Sequence, residues 1–251
     1  MMGRRVSKES MRVRPLQTAG VLLLALVLVS GCFRSSPSAS NDLVSSTKYT
    51  RLFIELDYVQ GMKPRTGTTD LLEQRINERL SKPDGTQLQE SAFQSTRTSY
   101  TNDDLREIES QQRQTQPSGN QMVLYLLFLN GHHSKDTANE KVLGVQYGRA
   151  SIAIFKETVD ASGGLLGLTF NAADVEKAVV IHEFGHALGL VNNGLSMVKN
   201  HEDTAHPKHS NNQDSVMYWA VENTLGLPGL DRLPNDFDSD DIADIRAAGG
   251  K

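Results

Sequence analysis

The sequence predicts one α+β domain built on a mixed, twisted sheet, and three features carry that prediction. The stretch "QMVLYLLFLNG" (121–131) is too uniformly apolar to be anything but a central strand. "RLFIELDYVQ" (51–60), "VLGVQYG" (142–148) and "RASIAIFKE" (149–157) read as further strands, the last two bent around Gly148. Past residue 171 the apolar period becomes helical, with Val175, Val179, His182 and His186 at i, i+4, i+7 and i+11. A chain of 251 residues, 38% hydrophobic with eight Phe and six Tyr, has the length and apolar surface for one such domain.

The remaining elements follow from local signals. "TTDLLEQRINERLSK" (68–82) sets Leu71, Leu72, Ile76 and Leu80 at helical spacing, and Pro83 stops it. Residues 83–120 are polar, with a possible helix over "NDDLREIESQQRQ" (102–114). Asn171 suits the N-cap of the histidine-bearing helix, and Gly189 suits its left-handed stop. Residues 192–216 are polar and irregular. "SVMYWA" (215–220) comes next, and "DFDSDDIADIRAAG" (236–249) predicts a C-terminal helix.

The N-terminus has a different character. "VLLLALVLVSGC" (21–32) is an apolar run preceded by Arg4, Arg5, Lys8, Arg12 and Arg14. It is short for a bilayer span and ends in small residues, which reads as a signal peptide over 1–31. Cys32, the only cysteine, directly follows Val29-Ser30-Gly31. That arrangement resembles the bacterial lipobox, in which such a cysteine is lipidated and begins the mature chain. Residues 32–50, "CFRSSPSASNDLVSSTKYT", then read as the lipidated cysteine and a flexible Ser-rich tether, with the domain proper over 51–251. The expected location is a bacterial cell envelope, lipid-anchored and extracytoplasmic. A lone cysteine allows no internal disulfide. Losing residues 1–31 takes the formal charge from −4 to about −8, so no basic surface or motif invites nucleic acid.

The chemistry concentrates in "VVIHEFGHALGLVNNGLSM" (179–197). His182 and His186 are one helical turn apart, so both imidazoles can converge on one ion. Glu183 is rotated off that line. It is placed to take a proton from a water at the ion as the water attacks a peptide carbonyl. Zn2+ is the ion this pattern implies.

The strings "HEFGHALGL" and "SVMY" resemble those of the metzincin zinc peptidases over about forty residues, 179–219. The resemblance implies a zincin-like domain with an active-site helix, a Met-turn at Met217 beneath the metal, and a C-terminal helix. It also implies hydrolysis of a peptide or protein substrate, with Glu183 as general base and then proton donor. The metzincin signature would put a third histidine three residues after Gly189, where this chain has Asn192. A neutral amide is a weak zinc ligand. His201, His206 and His209 are the alternatives downstream. The local pattern of the archaemetzincins, in which the third histidine precedes the methionine by eight residues, selects His209. Ser210 and Ser215 stand where that pattern has two cysteines. On this reading residues 192–207 are an insertion that leaves the metal and returns at His209.

Several weaker readings stay beside it. A gluzincin arrangement would take Glu202 or Glu222 as third ligand from a second helix. His132 and His133 could touch substrate, and Tyr218 could hold an oxyanion. Glu202, Asp203 and Asp214 could bind calcium, although their spacing fits no known loop. "GVQYG" resembles the edge strand on which metzincins lay peptides. The rival function is an anchored binding or structural lipoprotein whose zinc site is vestigial or structural. Glu183 speaks against that, because a closed structural site needs no carboxylate beside its histidine.

Overall fold

The computed structural model describes residues 39–162, 170–222 and 233–251, with side chains described from residue 42 onward. The expected signal peptide, Cys32 and the first part of the tether lie outside the described residues. Within them, a five-stranded sheet is assembled from β1 (Arg51–Val59), β2 (Thr86–Phe93), β4 (Gln121–Leu129), β6 (Gly144–Gly148) and β7 (Ser151–Phe155). The spatial order is β2-β1-β4-β7-β6. The first four strands run parallel, and β6 alone is antiparallel, as the outer partner of β7. The sheet is therefore mixed, as expected, and mainly parallel.

Its centre is β4, buried from Met122 to Leu129 because both faces are covered. Leu124, Leu126 and Phe128 point toward the large core formed with α2 (Thr66–Arg79) and α5 (Ala172–Leu188). Tyr125, Leu127 and Leu129 point the other way, toward Leu105 and Ile108 of α3 (Asn102–Gln112). The period-2 alternation of a strand thus divides one apolar run between two cores. Thr101 and Asp104 close α3 with a capping box. A short parallel pair, β3 (Ser99–Tyr100) and β5 (His132–His133), stands apart from the main sheet.

Three sequence expectations change. The flexible tether does not extend to residue 50. Residues Ala39–Val44 form a helix, α1, and Leu43, Val44 and Tyr49 are buried in the main core. The Lys82 ammonium donates to the carbonyls of Asp42, Ser45 and Tyr49, locking that segment down. The folded domain consequently starts upstream of Arg51; average composition conceals a few apolar residues set among serines. The polar stretch after Pro83 contains β2, whose side chains alternate between exposed and half-buried at the sheet edge. Lastly, the strand through Phe155 turns into helix α4 (Lys156–Ser162) instead of running to residue 157. The C-terminal helix, α6 (Ser239–Ala247), starts from a capping box of Asp238 and Asp241. No helix among the described residues is long and apolar enough to cross a membrane.

Candidate metal centre

Helix α5 is placed by both of its ends. Asn171 accepts from the backbone N–H groups of Ala173 and Asp174, satisfying two donors that the first turn leaves free. Gly189 stops the helix at φ 87°, a left-handed conformation that glycine adopts without a Cβ clash. Between these ends every residue from Ala178 to Leu188 is buried, so His182, Glu183 and His186 lie in the interior. Gly185 lets the floor approach. A Cβ there would overlap Met217 Sδ and come within 2.9 Å of Phe237. Met217 is itself fully buried, in a turn where the Tyr218 N–H donates to the Ser215 carbonyl.

The structure brings His182, His186 and His209 together, with Glu222 as a fourth member. The His182 and His186 Nε2 atoms are 3.1 Å apart. The three rings face one another, with centroids 4.7–5.3 Å apart. Two nitrogens bound to one tetrahedral zinc at about 2.05 Å would be about 3.3 Å apart, so this spacing fits a shared ion. The tautomers fit as well. His182 Nδ1 donates to the Val216 carbonyl at 2.7 Å, which turns the Nε2 lone pair toward the other rings. His209 is buried; its Nδ1 has no hydrogen-bond partner among the described residues, and its Nε2 faces the Glu222 carboxylate at 3.2 Å. A buried imidazole so sparsely partnered is costly unless something accepts its lone pair. The donor set is therefore suited to zinc.

Glu183 lies beside the three rings. A backbone hydrogen bond from Gln146 of β6 reaches its carboxylate, while Oε1 has no partner. Burial, and then the charge of Glu222, push the Glu183 carboxyl well above the usual carboxylate range, which suits a proton carrier. Burial, together with the other two imidazoles, holds His186 well below the ordinary histidine value, and a neutral imidazole is the form that can bind a metal. Glu222 stands 3.2 Å from His209 Nε2 and 3.7 Å from His182 Nε2. Burial raises its carboxyl, but the two imidazoles more than offset this and hold it well below the ordinary value. A cleft of about 190 Å³ opens over the group between β6 and the 207–209 turn, with Glu183, His186, His209 and Glu222 in its walls.

The other candidates stand elsewhere. Asn192 bonds to Glu202 at the surface. His206 stacks on Trp219 and pairs with Asp203. His201 is buried against Asp244. Of the downstream histidines, only His209 joins the pair on α5. Glu202, Asp203 and Asp214 form no metal-binding group among the described residues. His132 and His133 lie in the small β3–β5 pair, with His133 held by Asn102. Tyr218 is half-buried directly after Met217. Glu222 does not sit on a second long helix. It caps a single turn, Trp219–Val221, so the gluzincin arrangement does not describe it. Its part in the cluster has no spacing signal in the sequence, because the turn from Met217 delivers it.

No protein-family model and no curated protein matches this chain. Among solved structures it is similar to the archaemetzincin of Methanopyrus kandleri. The two share 15% identity and a TM-score of 0.49, over 79% of this chain and 96% of that one.

Proposed function

We propose that the chain is a zinc-dependent peptidase of the metzincin type, anchored by lipid at Cys32 on the extracytoplasmic side of a bacterial envelope. The observation that carries the catalytic reading is the convergence of His182, His186 and His209 beside a buried Glu183 whose Oε1 has no partner. When bound, zinc supplies Lewis acidity toward a peptide carbonyl and makes water a stronger nucleophile. Glu183 Oε1 accepts the proton of the attacking water and delivers it to the leaving amine, and its raised affinity for a proton matches that task. Gln146 orients the carboxylate through its backbone N–H. Among the described residues strand β6 is the outer strand of the sheet and borders the cleft, where an extended peptide can add as a further strand. Met217 forms the apolar floor under α5.

Glu222 motivates a second reading. If its carboxylate stays as a fourth protein ligand, the site is closed, and the chain is an anchored binding protein with a structural zinc. A peptide-library digestion by the zinc-loaded full chain, read by mass spectrometry, separates the two. The peptidase reading expects cleavage that falls on the order of 10²-fold or more in Glu183→Ala while zinc content is kept. It also expects His209→Ala to lose zinc and Glu222→Gln to keep activity. A zinc-loaded parent that cleaves nothing, joined to a tenfold or larger loss of zinc affinity in Glu222→Gln, would establish the closed site instead.

A further inference from the structure

Away from the three-histidine group, a second set of donors converges between the loop after Gly189 and α6. It consists of His201, Asp238 and Asp241, whose ligand atoms all lie within 4.8 Å of one another. His201 is 1% exposed and Asp241 fully buried. His201 Nδ1 faces Asp241 Oδ1 at 3.9 Å, and neither atom has a hydrogen-bond partner among the described residues. We infer that these three residues form a second divalent-cation site, with one imidazole nitrogen and two carboxylates as ligands.

The surroundings are those of a metal site. His201 Nε2 is 3.0 Å from Asp244 Oδ2, so the ring donates there and its Nδ1 lone pair turns toward Asp241. A carboxylate that accepts the far N–H of a ligating histidine is the usual outer partner of such a ring. Ser215 Oγ donates to Asp241 Oδ2 at 2.6 Å, leaving Oδ1 as the outward lone-pair atom. Asp238 is oriented by Asn212 Nδ2, which donates to its Oδ2, and by the Asp240 and Asp241 backbone N–H groups, which donate to its Oδ1. Nitrogen and oxygen ligands at about 2.0–2.2 Å from a tetrahedral ion stand about 3.4 Å apart, so closing 3.9 Å onto an ion needs roughly half an ångström.

The competing account is an imidazolium held between Asp244 and Asp241. A charged N–H aimed at a buried carboxylate should sit at about 2.7–2.9 Å, and 3.9 Å is too long for that. A mixed nitrogen and oxygen set points to a zinc- or manganese-type ion, since calcium takes oxygen ligands alone.

An ion at this place would brace the catalytic loop. Ser215 also accepts the Met217 N–H, and the His201 carbonyl accepts the Asn211 N–H. A link from His201 to α6 would therefore hold both flanks of the segment carrying His209 and Met217, in a chain whose single cysteine permits no disulfide brace.

The test loads the full chain with Zn2+, removes the excess, and counts zinc by elemental analysis. The parent should hold two ions per chain, and the His182→Ala/His186→Ala double variant should hold one. His201→Gln and Asp238→Asn, built on the parent, should each hold one. In the double variant, titrating Zn2+ should also shift the His201 Nδ1 nitrogen resonance, a readout that needs no change at His201 itself. One zinc in the parent and none in the double variant would overturn the second site while leaving the three-histidine site standing. A His201 ring protonated on both nitrogens and unmoved by Zn2+ would overturn it as well. Two ions in the parent and none in His182→Ala/His186→Ala would place both at the first site, again overturning it.

Discussion

Gly144 lies where strand β6 passes the Glu183 carboxylate. A Cβ there would come within 2.8 Å of Glu183 Cγ and of Val179 Cγ1, closer than side-chain carbons approach one another. Val179 is packed in the core, so β6 must draw back from α5 and the Glu183 side chain shift with it. On the proposed peptidase reading, Gly144→Ala is expected to lower kcat on a peptide that the parent cleaves by about 10-fold to 100-fold, with zinc content unchanged, because a displacement under an ångström is enough to spoil proton transfer. Parallel kinetics and zinc analysis would check this, and equal loss of both would point to general unfolding. At the same scale, His182, Glu183 and His186 were readable from their spacing in one helix. His209 was readable only through its count from Met217 in a family resemblance. Glu222 was named only as a ligand of the rival gluzincin arrangement; its place beside all three histidines was not readable, since nothing local in "WAVE" sets it apart from a surface carboxylate.

Among the elements, α1 shows how a short apolar signal is lost in polar company. Leu43 and Val44 seal one end of the main core, and the buried Lys82 ammonium fastens the carbonyls around them. Lys82→Ala removes charged hydrogen bonds worth on the order of 2 kcal/mol in total after relaxation. It is expected to raise hydrogen exchange at residues 43–50 well before β1 or β4 opens, which exchange mass spectrometry on the full chain would reveal. Uniform protection through 39–50 in that variant would mean that apolar burial alone holds the segment. Helices α3, α5 and α6 join a side-chain cap to a helical apolar spacing, whereas α2, whose N-cap Arg65 makes no side-chain cap, was legible from the spacing of Leu71, Leu72, Ile76 and Leu80 and the stop at Pro83. Strand β2 was not, because its edge position leaves every second residue in water and its sequence reads as a loop.

For the molecule as a whole, stability against pH carries the mark of a carboxyl buried in the sheet. Burial pushes Asp57 of β1 up to about 6, the hydrogen bond from Tyr125 partly opposes this, and the charge of Glu55 adds to it. The folded chain thus holds this proton more tightly than the unfolded chain. The contribution of Asp57 to the unfolding free energy therefore falls as pH rises from about 4 to about 6, and the loss persists above that. A rise from 3.8 to about 6 corresponds to at most about 3 kcal/mol. Asp57→Asn, whose amide oxygen can still accept from Tyr125, is expected to gain stability over the parent at pH 7 and little at pH 4. Urea unfolding at the two pH values tests the sign; a variant weaker by the same amount at both would show that packing, not ionisation, governs the position.

The sequence by itself determined the central strand, the histidine-bearing helix with both of its ends, and the two histidines and carboxylate that it buries. Each of these is written within a few neighbouring residues, where periodicity and capping act. Tertiary structure alone decided which loop residues return to that helix. The chain between Gly189 and Met217 has no period, so its histidines look alike in sequence. Packing against Gly185, and the contacts with α6, send His209 to the first group and His201 to the second. Long-range convergence of this kind depends on the space that neighbouring elements leave, which local sequence does not encode.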